Sequence, residues 1–294
     1  MNNSNNETAG LLDFVKAWPQ YILPHYALSN LMHALTRSKT VWWKNFFIRW
    51  FIKQYKINMS EANPSDPSAY ASFNEFFTRP LQTQARPIAF GDKHIVSPVD
   101  GAISQSGDIV NGNVFQAKGR SYTLHELLAG EQQWVDSFNN GHFATIYLSP
   151  KDYHRIHMPR SGHLVAMSHI PGRLFSVNPA TTRAIPRLFA RNERVIAYFE
   201  TPAGPMAMIL VGAIFVAGME TVWHGAVSPP HGRHICNWNY KDKNIVLEQG
   251  MEMGRFNMGS TVILLFPPKS MAWQNLAPGK NVQMGQIIGE IQKT

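Results

Sequence analysis

From Val41 to Lys56 the apolar positions recur at helical spacing: Trp43, Phe46, Phe47, Trp50 and Phe51 fall at i, i+3, i+4, i+7 and i+8. Lys44, Arg49, Lys53 and Lys56 lie largely off that stripe, which predicts an amphipathic helix with cations beside an aromatic face. Upstream, residues 17–36 carry no formal charge over 20 positions, the length of a membrane span. Pro19, Gln20, Pro24, His25, Ser29, Asn30 and His33 interrupt the stretch, and placing so many polar groups in hydrocarbon argues against a transmembrane helix. It also lacks the basic start, compact apolar run and small-residue cleavage site of a signal peptide.

After the Pro/Ser-rich turn at residues 63–68 the period changes. Ser72 reads as the N-cap of a short helix over Phe73 to Phe77. From Ile95 onward short β-type runs alternate with Gly and Pro: Phe143 to Leu148, Val195 to Phe199, Met206 to Val211, Ile214 to Val216 and Thr261 to Phe266. Helical patterns are brief, near Thr123 to Ala129 and Ala184 to Phe189. The expected fold is α+β, a β-rich body (residues 64–294) behind a helical, basic-aromatic segment (residues 1–63). Within the body, residues 97–103 and 279–289 look alike and resemble the tight turns of barrel-sandwich carrier domains. Glycines serve turns for φ > 0 alone, so that likeness is weak.

Charge sharpens this division. The chain has a formal charge of +8, yet seven cations and no acid fall between Phe14 and Ser60, together with eleven of its 34 aromatics. The rest is close to neutral. Interleaved aromatics and cations suit an anionic lipid surface, and no helix-turn-helix, RNP or zinc-finger pattern supports nucleic acid. The competing reading is that the stripe simply packs on the body. One cysteine, Cys236, excludes an intrachain disulfide framework.

Three clusters carry possible chemistry. The run Ser149 to Pro159 holds His154 and His157, which on a helix would share a face and suit a metal. Flanking prolines and the preceding strand favour an extended segment, leaving acid–base work, structural histidines or a metal-dependent hydrolase as readings. Asp100 follows an apolar strand at a turn, where it can bond its own backbone or orient a histidine. Gly259-Ser260 immediately precedes the apolar strand Val262 to Phe266. A Ser after a Gly is usually only a turn. Gly259 lacks a Cβ, however, so its carbonyl is open to attack by Ser260 Oγ if a base takes the proton. The resulting ester can eliminate to dehydroalanine and hydrolyse to a pyruvoyl ketone, a Schiff-base-forming electron sink.

These residues resemble the phosphatidylserine decarboxylase family in its proteobacterial form, and the likeness covers nearly the whole chain. It runs through Tyr21-Ile22-Leu23-Pro24, Phe73 to Leu81, Pro98-Val99-Asp100-Gly101, Tyr153 to Pro159, Pro171 to Asn178, Phe189 to Arg194, Glu252 to Phe256 and Met258-Gly259-Ser260-Thr261. Met258 stands where the family often has Leu, an apolar exchange that leaves the cleaved bond unaltered. The resemblance implies a proenzyme cut between Gly259 and Ser260 into a β chain (1–259) and an α chain (260–294), with Ser260 becoming the pyruvoyl group. It implies that Asp100 orients His157, that His157 is the base for Ser260, and that His154 serves decarboxylation. Ser176 and Asn178 are weaker candidates for substrate contact. It further implies phosphatidylserine as substrate, peripheral attachment to the cytoplasmic side of the cell membrane and a self-associating body. Trp43, Lys44, Phe47, Arg49, Trp50 and Lys53 are the expected lipid contacts. A noncatalytic barrel-sandwich carrier is the remaining rival.

Overall fold

The structure is a computed structural model that describes residues 8–214, 218–229, 232–257 and 260–292. Three helices lead the chain: α1 (Leu11–Ala17), α2 (His25–Arg37) and α3 (Val41–Tyr55), with a 3-10 turn at Trp18–Tyr21 between the first two. The short helix α4 (Phe73–Phe77) begins as expected, Ser72 Oγ accepting from Glu75 N at 3.2 Å. No helix among the described residues is long and apolar enough to cross a membrane.

The aromatic stripe of α3 is divided between two environments. Ile48 and Phe51 are buried with Ile57, Tyr70, Phe73, Phe76 and Phe77 in a small core that straddles residue 63. Trp42, Phe46 and Trp50 point the other way and remain 73%, 64% and 47% exposed. Lys44 falls on the inner side: its ammonium donates to Ser68 O and Asn45 Oδ1, both at 3.0 Å. Burying its chain while satisfying its charge takes it off any lipid-facing surface.

The body is built on a nine-stranded antiparallel sheet among the described residues. Its centre runs Gly162–Ile170, Arg194–Thr201, Gly204–Val211, Ser260–Phe266, His142–Leu148 and Gly101–Asp108 in spatial order. Every residue of Ser260–Phe266 is buried, which explains why that run is continuously apolar rather than alternating. Of the expected run Ile214 to Val216, Ile214 lies in a turn and the other two fall outside the described residues. The helix expected at 184–189 is interrupted. Ile185, preceding Pro186, is extended (φ −94°, ψ 118°), and two short helices, Pro179–Ala184 and Leu188–Arg191, flank the break.

The two look-alike segments are partners. Ser97 N donates to Gln286 O at 2.7 Å, Gly285 N to Ser97 O at 3.0 Å, and Val282 pairs with Gly101. Gly101 is required there, since a Cβ would lie 2.5 Å from Tyr147 O. A second sheet carries Glu252–Phe256 between Met219–Thr221 and Arg155–His157.

Candidate active site

Two pairs of strands meet at the site. In the large sheet Ser260 faces Leu148; in the smaller one Arg255 faces Arg155. The chain passes from Leu148 to Arg155 through residues 149–154, and from Phe256 to Ser260 through residues 257–259. The register therefore brings the ends of the two strand pairs together, and Phe256 N donates to His154 O at 3.0 Å. Sequence positions some hundred residues apart become neighbours because two antiparallel ladders continue from one sheet into the next. Gly259 lies outside the described residues, as does Met258.

Ser260 is fully buried, and its Oγ has no hydrogen-bond partner among the described residues. An unpaired buried hydroxyl is costly, and Ser260 shares this state with Thr261 beside it and Thr145 on the neighbouring strand. The setting also fits a serine-derived pyruvoyl group, which is uncharged: the hydroxyl-bearing carbon would become a methyl and the α-carbon a ketone, at the strand position paired with Leu148.

His154 and His157 bracket an extended segment, so their three-residue spacing sends them to different surroundings. His154 is fully buried, its ring 4.2 Å from that of Phe77. Its Nδ1 donates to Asp152 O at 2.8 Å, which leaves Nε2 as a lone pair without a partner among the described residues. Burial holds its pKa down to about 3, with the Arg79 cation acting in the same direction. His157 is half-buried. Its Nδ1 donates to Gly250 O at 2.8 Å, and its Nε2 lies 3.1 Å from the Tyr153 hydroxyl. Burial lowers its pKa, while the Gly250 bond and the nearby charges of Glu252 and Asp100 oppose that shift. Neither imidazole hydrogen bonds Ser260.

Asp100 makes no direct bond to His157. Arg86 grips its carboxylate through Nε (2.9 and 3.0 Å) and Nη2 (2.6 Å), and Met284 N donates to Oδ1 at 2.9 Å. Its link to the histidine runs through the same turn, where Pro98 O accepts the His157 backbone N–H at 2.8 Å. Arg86 carried no signal in the sequence. Tyr153 lay inside the histidine run, but its contact with His157 depends on the path of the turn.

A cleft of about 270 Å³ lies beside these groups, lined among others by Phe51, Tyr55, Phe77, Leu148, Pro150 and Ser176. It joins the leading helices to the strand opposite Ser260. Ser176 thus borders the cleft, its Oγ accepting from Asn178 Nδ2 at 2.9 Å. Asn178 is occupied as a helix cap, its Oδ1 accepting from Thr181 N at 3.1 Å.

Comparison with known proteins identifies the family. A family model described as phosphatidylserine decarboxylase matches residues 73–290, and a second, described as PSD, matches residues 15–56. The chain is 50% identical over 280 residues to the phosphatidylserine decarboxylase proenzyme of Azoarcus sp., covering 95% of this chain and 96% of that one. It is 52% identical over 283 residues to the proenzyme of Nitrosococcus oceani (96% and 92%), and 53% identical over 272 residues to that of Delftia acidovorans (91% and 94%). With half its residues shared over nearly its full length, the chain belongs to the phosphatidylserine decarboxylase proenzyme family.

Proposed function

We propose that the chain severs its own backbone between Gly259 and Ser260 and then decarboxylates phosphatidylserine at a membrane surface, releasing phosphatidylethanolamine and CO2. As a member of its family it is a pyruvoyl-dependent enzyme whose α and β chains derive from one precursor. The observation that carries the assignment to Ser260 is its buried, unpartnered hydroxyl at the strand start beside the connection that bears His154.

In self-cleavage Ser260 Oγ bonds the Gly259 carbonyl carbon and its proton passes to His157 Nε2. The Gly259–Ser260 C–N bond breaks, and the proton goes to the departing nitrogen. Loss of the Ser260 α-proton then expels the Gly259 carboxylate from Cβ, and water replaces the nitrogen as ammonia. Asp100 acts on His157 by its negative charge and by fixing the turn that carries Pro98 O. The pyruvoyl group supplies a carbonyl that binds the substrate amine covalently and takes up the electron pair left behind by CO2. His154, whose Nε2 has no partner among the described residues, relays a proton to the carbon vacated by the carboxylate, its low basicity making it a ready donor once protonated. Phe77 and Leu148 keep water from that exchange.

The leading helices support docking on anionic lipid. Of the 21 large apolar side chains exposed among the described residues, 14 lie within residues 11–50, Leu11, Trp18, Ile22, Trp42, Phe46 and Trp50 among them. Arg49 and Lys53 are exposed on the outer side of α3, and the cytoplasmic face of the membrane is the proposed location. Denaturing gel and intact mass test the cleavage. The chain should give a fragment of residues 260–294 with a blocked N-terminus, and Ser260→Ala should remain one 33.2 kDa chain without decarboxylase activity. Decarboxylation by a chain that stays whole would overturn the proposal.

A further inference from the structure

The ribbon Gly172–Ser176 is held from two sides. Toward the body, Arg173 N donates to Arg191 O and Glu193 N to Arg173 O, both at 2.8 Å. Phe175 N donates to Asn192 Oδ1 at 3.1 Å, and Asn192 Nδ2 donates to Phe175 O at 2.8 Å. Gly172 has to be glycine, because a Cβ would meet Arg191 O at 2.5 Å.

The alternate residues face the leading helices, and there side chains take the place of a neighbouring strand. The Tyr26 hydroxyl donates to Gly172 O. Leu174 N donates to His25 Nδ1 at 3.3 Å, and Ser176 N donates to Gln20 Oε1 at 2.7 Å. Gln20 and His25 are buried, at 9% and 4% exposure, although they lie in a segment whose apolar residues are largely exposed. Between these bonds the Phe175 ring sits 5.2 Å from Tyr21 and 5.3 Å from His25. Farther along, Asp13 of α1 takes Arg183 Nε and Nη2, each at 2.9 Å, and so ties down the helix that Asn178 caps.

We infer that Gln20, His25 and Tyr26 are positioning residues for the substrate cleft. The leading segment, besides meeting lipid, completes the hydrogen bonding of the 172–176 ribbon and thereby fixes where Ser176 stands. A ribbon with these backbone groups unpaired would find other partners, and the Ser176 wall of the cleft would move with it. The polar residues that break up the uncharged stretch at 17–36 are thus accounted for in part: Gln20 and His25 face the ribbon, not the bilayer. The inference rests on the reading of the cleft as the substrate site.

The test uses the full chain and a short-chain, monomeric phosphatidylserine, so that docking on vesicles does not enter the kinetics. Gln20→Ala should self-cleave and sediment with phosphatidylglycerol vesicles as the parent does. Its KM should rise about 3- to 10-fold, the worth of one hydrogen bond, with kcat within about twofold. Gln20→Glu keeps an acceptor for Ser176 N and should restore KM to within about twofold of the parent. Unchanged KM in Gln20→Ala, or failure of Gln20→Glu to rescue it, overturns the inference. Should Gln20→Ala not mature, Tyr26→Phe decides. It removes only a hydroxyl from a partly exposed ring, and should raise KM about 2- to 5-fold, an unchanged KM counting against the inference. A parent chain that does not decarboxylate the short-chain lipid at all would instead count against the assigned function.

Discussion

The Tyr153 hydroxyl lies 3.1 Å from His157 Nε2, the nitrogen proposed to receive the proton of Ser260. With Nδ1–H committed to Gly250 O, Nε2 is the lone pair, and Tyr153 donates to it. Such a donation favours the neutral imidazole and occupies the base. Tyr153→Phe should therefore accelerate self-cleavage by up to about fivefold, the size of a lost hydrogen bond. It should also move the acid limb of the pH–rate profile upward, since a more basic imidazole is protonated at higher pH. A time course of precursor disappearance between pH 5 and 8 reads both effects; slower cleavage would show that the hydroxyl carries the proton instead.

Ser260→Ala separates chemistry from stability. Its hydroxyl is buried without a partner among the described residues, so removing it deletes no hydrogen bond to them. Replacing an unsatisfied polar atom by an apolar one is neutral or stabilising. The expected result is an uncut chain whose urea midpoint equals or exceeds that of an uncut reference such as His157→Ala. A clear loss of stability would mean that the hydroxyl has a structural partner.

Asp100 and Arg86 are predicted to act as one unit. Their side chains are each only 10% exposed, and Arg86 also reaches Glu61 at 3.0 Å. Asp100→Asn leaves a guanidinium short of charge, at a cost of about 3 kcal/mol. Because Asp100 reaches His157 through the turn and through its field, Arg86→Met should slow self-cleavage in the same way. The double variant should fall well short of the sum of the two. Additive effects would indicate that Asp100 contacts His157 directly during the reaction.

Acid should destabilise the folded chain before its carboxylates titrate. His154 is neutral when folded down to about pH 3, against 6.5 in the unfolded chain. Below pH 6.5 the unfolded chain binds a proton that the folded chain refuses, so stability present above 6.5 is lost as pH falls. The slope is about 1.4 kcal/mol per pH unit for each such group. His25 and His157 are lowered by burial too and add to it. Urea unfolding at pH 7.5 and 5.5 should show this loss, and His154→Phe, which keeps a ring against Phe77, should reduce it. Equal losses in both would show that His154 is not among the groups responsible.

What the sequence revealed depended on range. Local rules placed the Ser72 cap and the apolar runs Phe143 to Leu148 and Thr261 to Phe266, each one residue short of the observed strand, because capping and apolar runs are short-range properties. The motif segments located Asp100, His154, His157 and Ser260, but not who touches whom. Arg86 reaches Asp100 from fourteen residues upstream across a turn, and no periodicity announces such a contact. Helical spacing likewise marked the aromatics of α3 without deciding which half of the stripe faces the core. Phe51 went inward because α4 offered Phe73, Phe76 and Phe77, and Lys44 went with it because Ser68 O was within reach.

That division of α3 makes the docking surface testable by contrast. Arg49 and Lys53 are exposed beside Trp42, Phe46 and Trp50, whereas Lys44 is only 7% exposed. Each cation near an anionic surface contributes about 1 kcal/mol, so reversing Arg49 and Lys53 together should weaken sedimentation with phosphatidylglycerol vesicles at least about tenfold. The loss should shrink as salt is raised. Trp42→Ala and Phe46→Ala should weaken binding at all salt concentrations, because their contribution is apolar burial in the headgroup layer. Lys44→Met should bind vesicles like the parent while lowering the urea midpoint, since its ammonium serves Ser68 O and Asn45 Oδ1 rather than lipid. If Lys44→Met lost vesicle binding as strongly as the Arg49 and Lys53 reversals, α3 would have to turn over at the membrane and expose the face it now buries against α4.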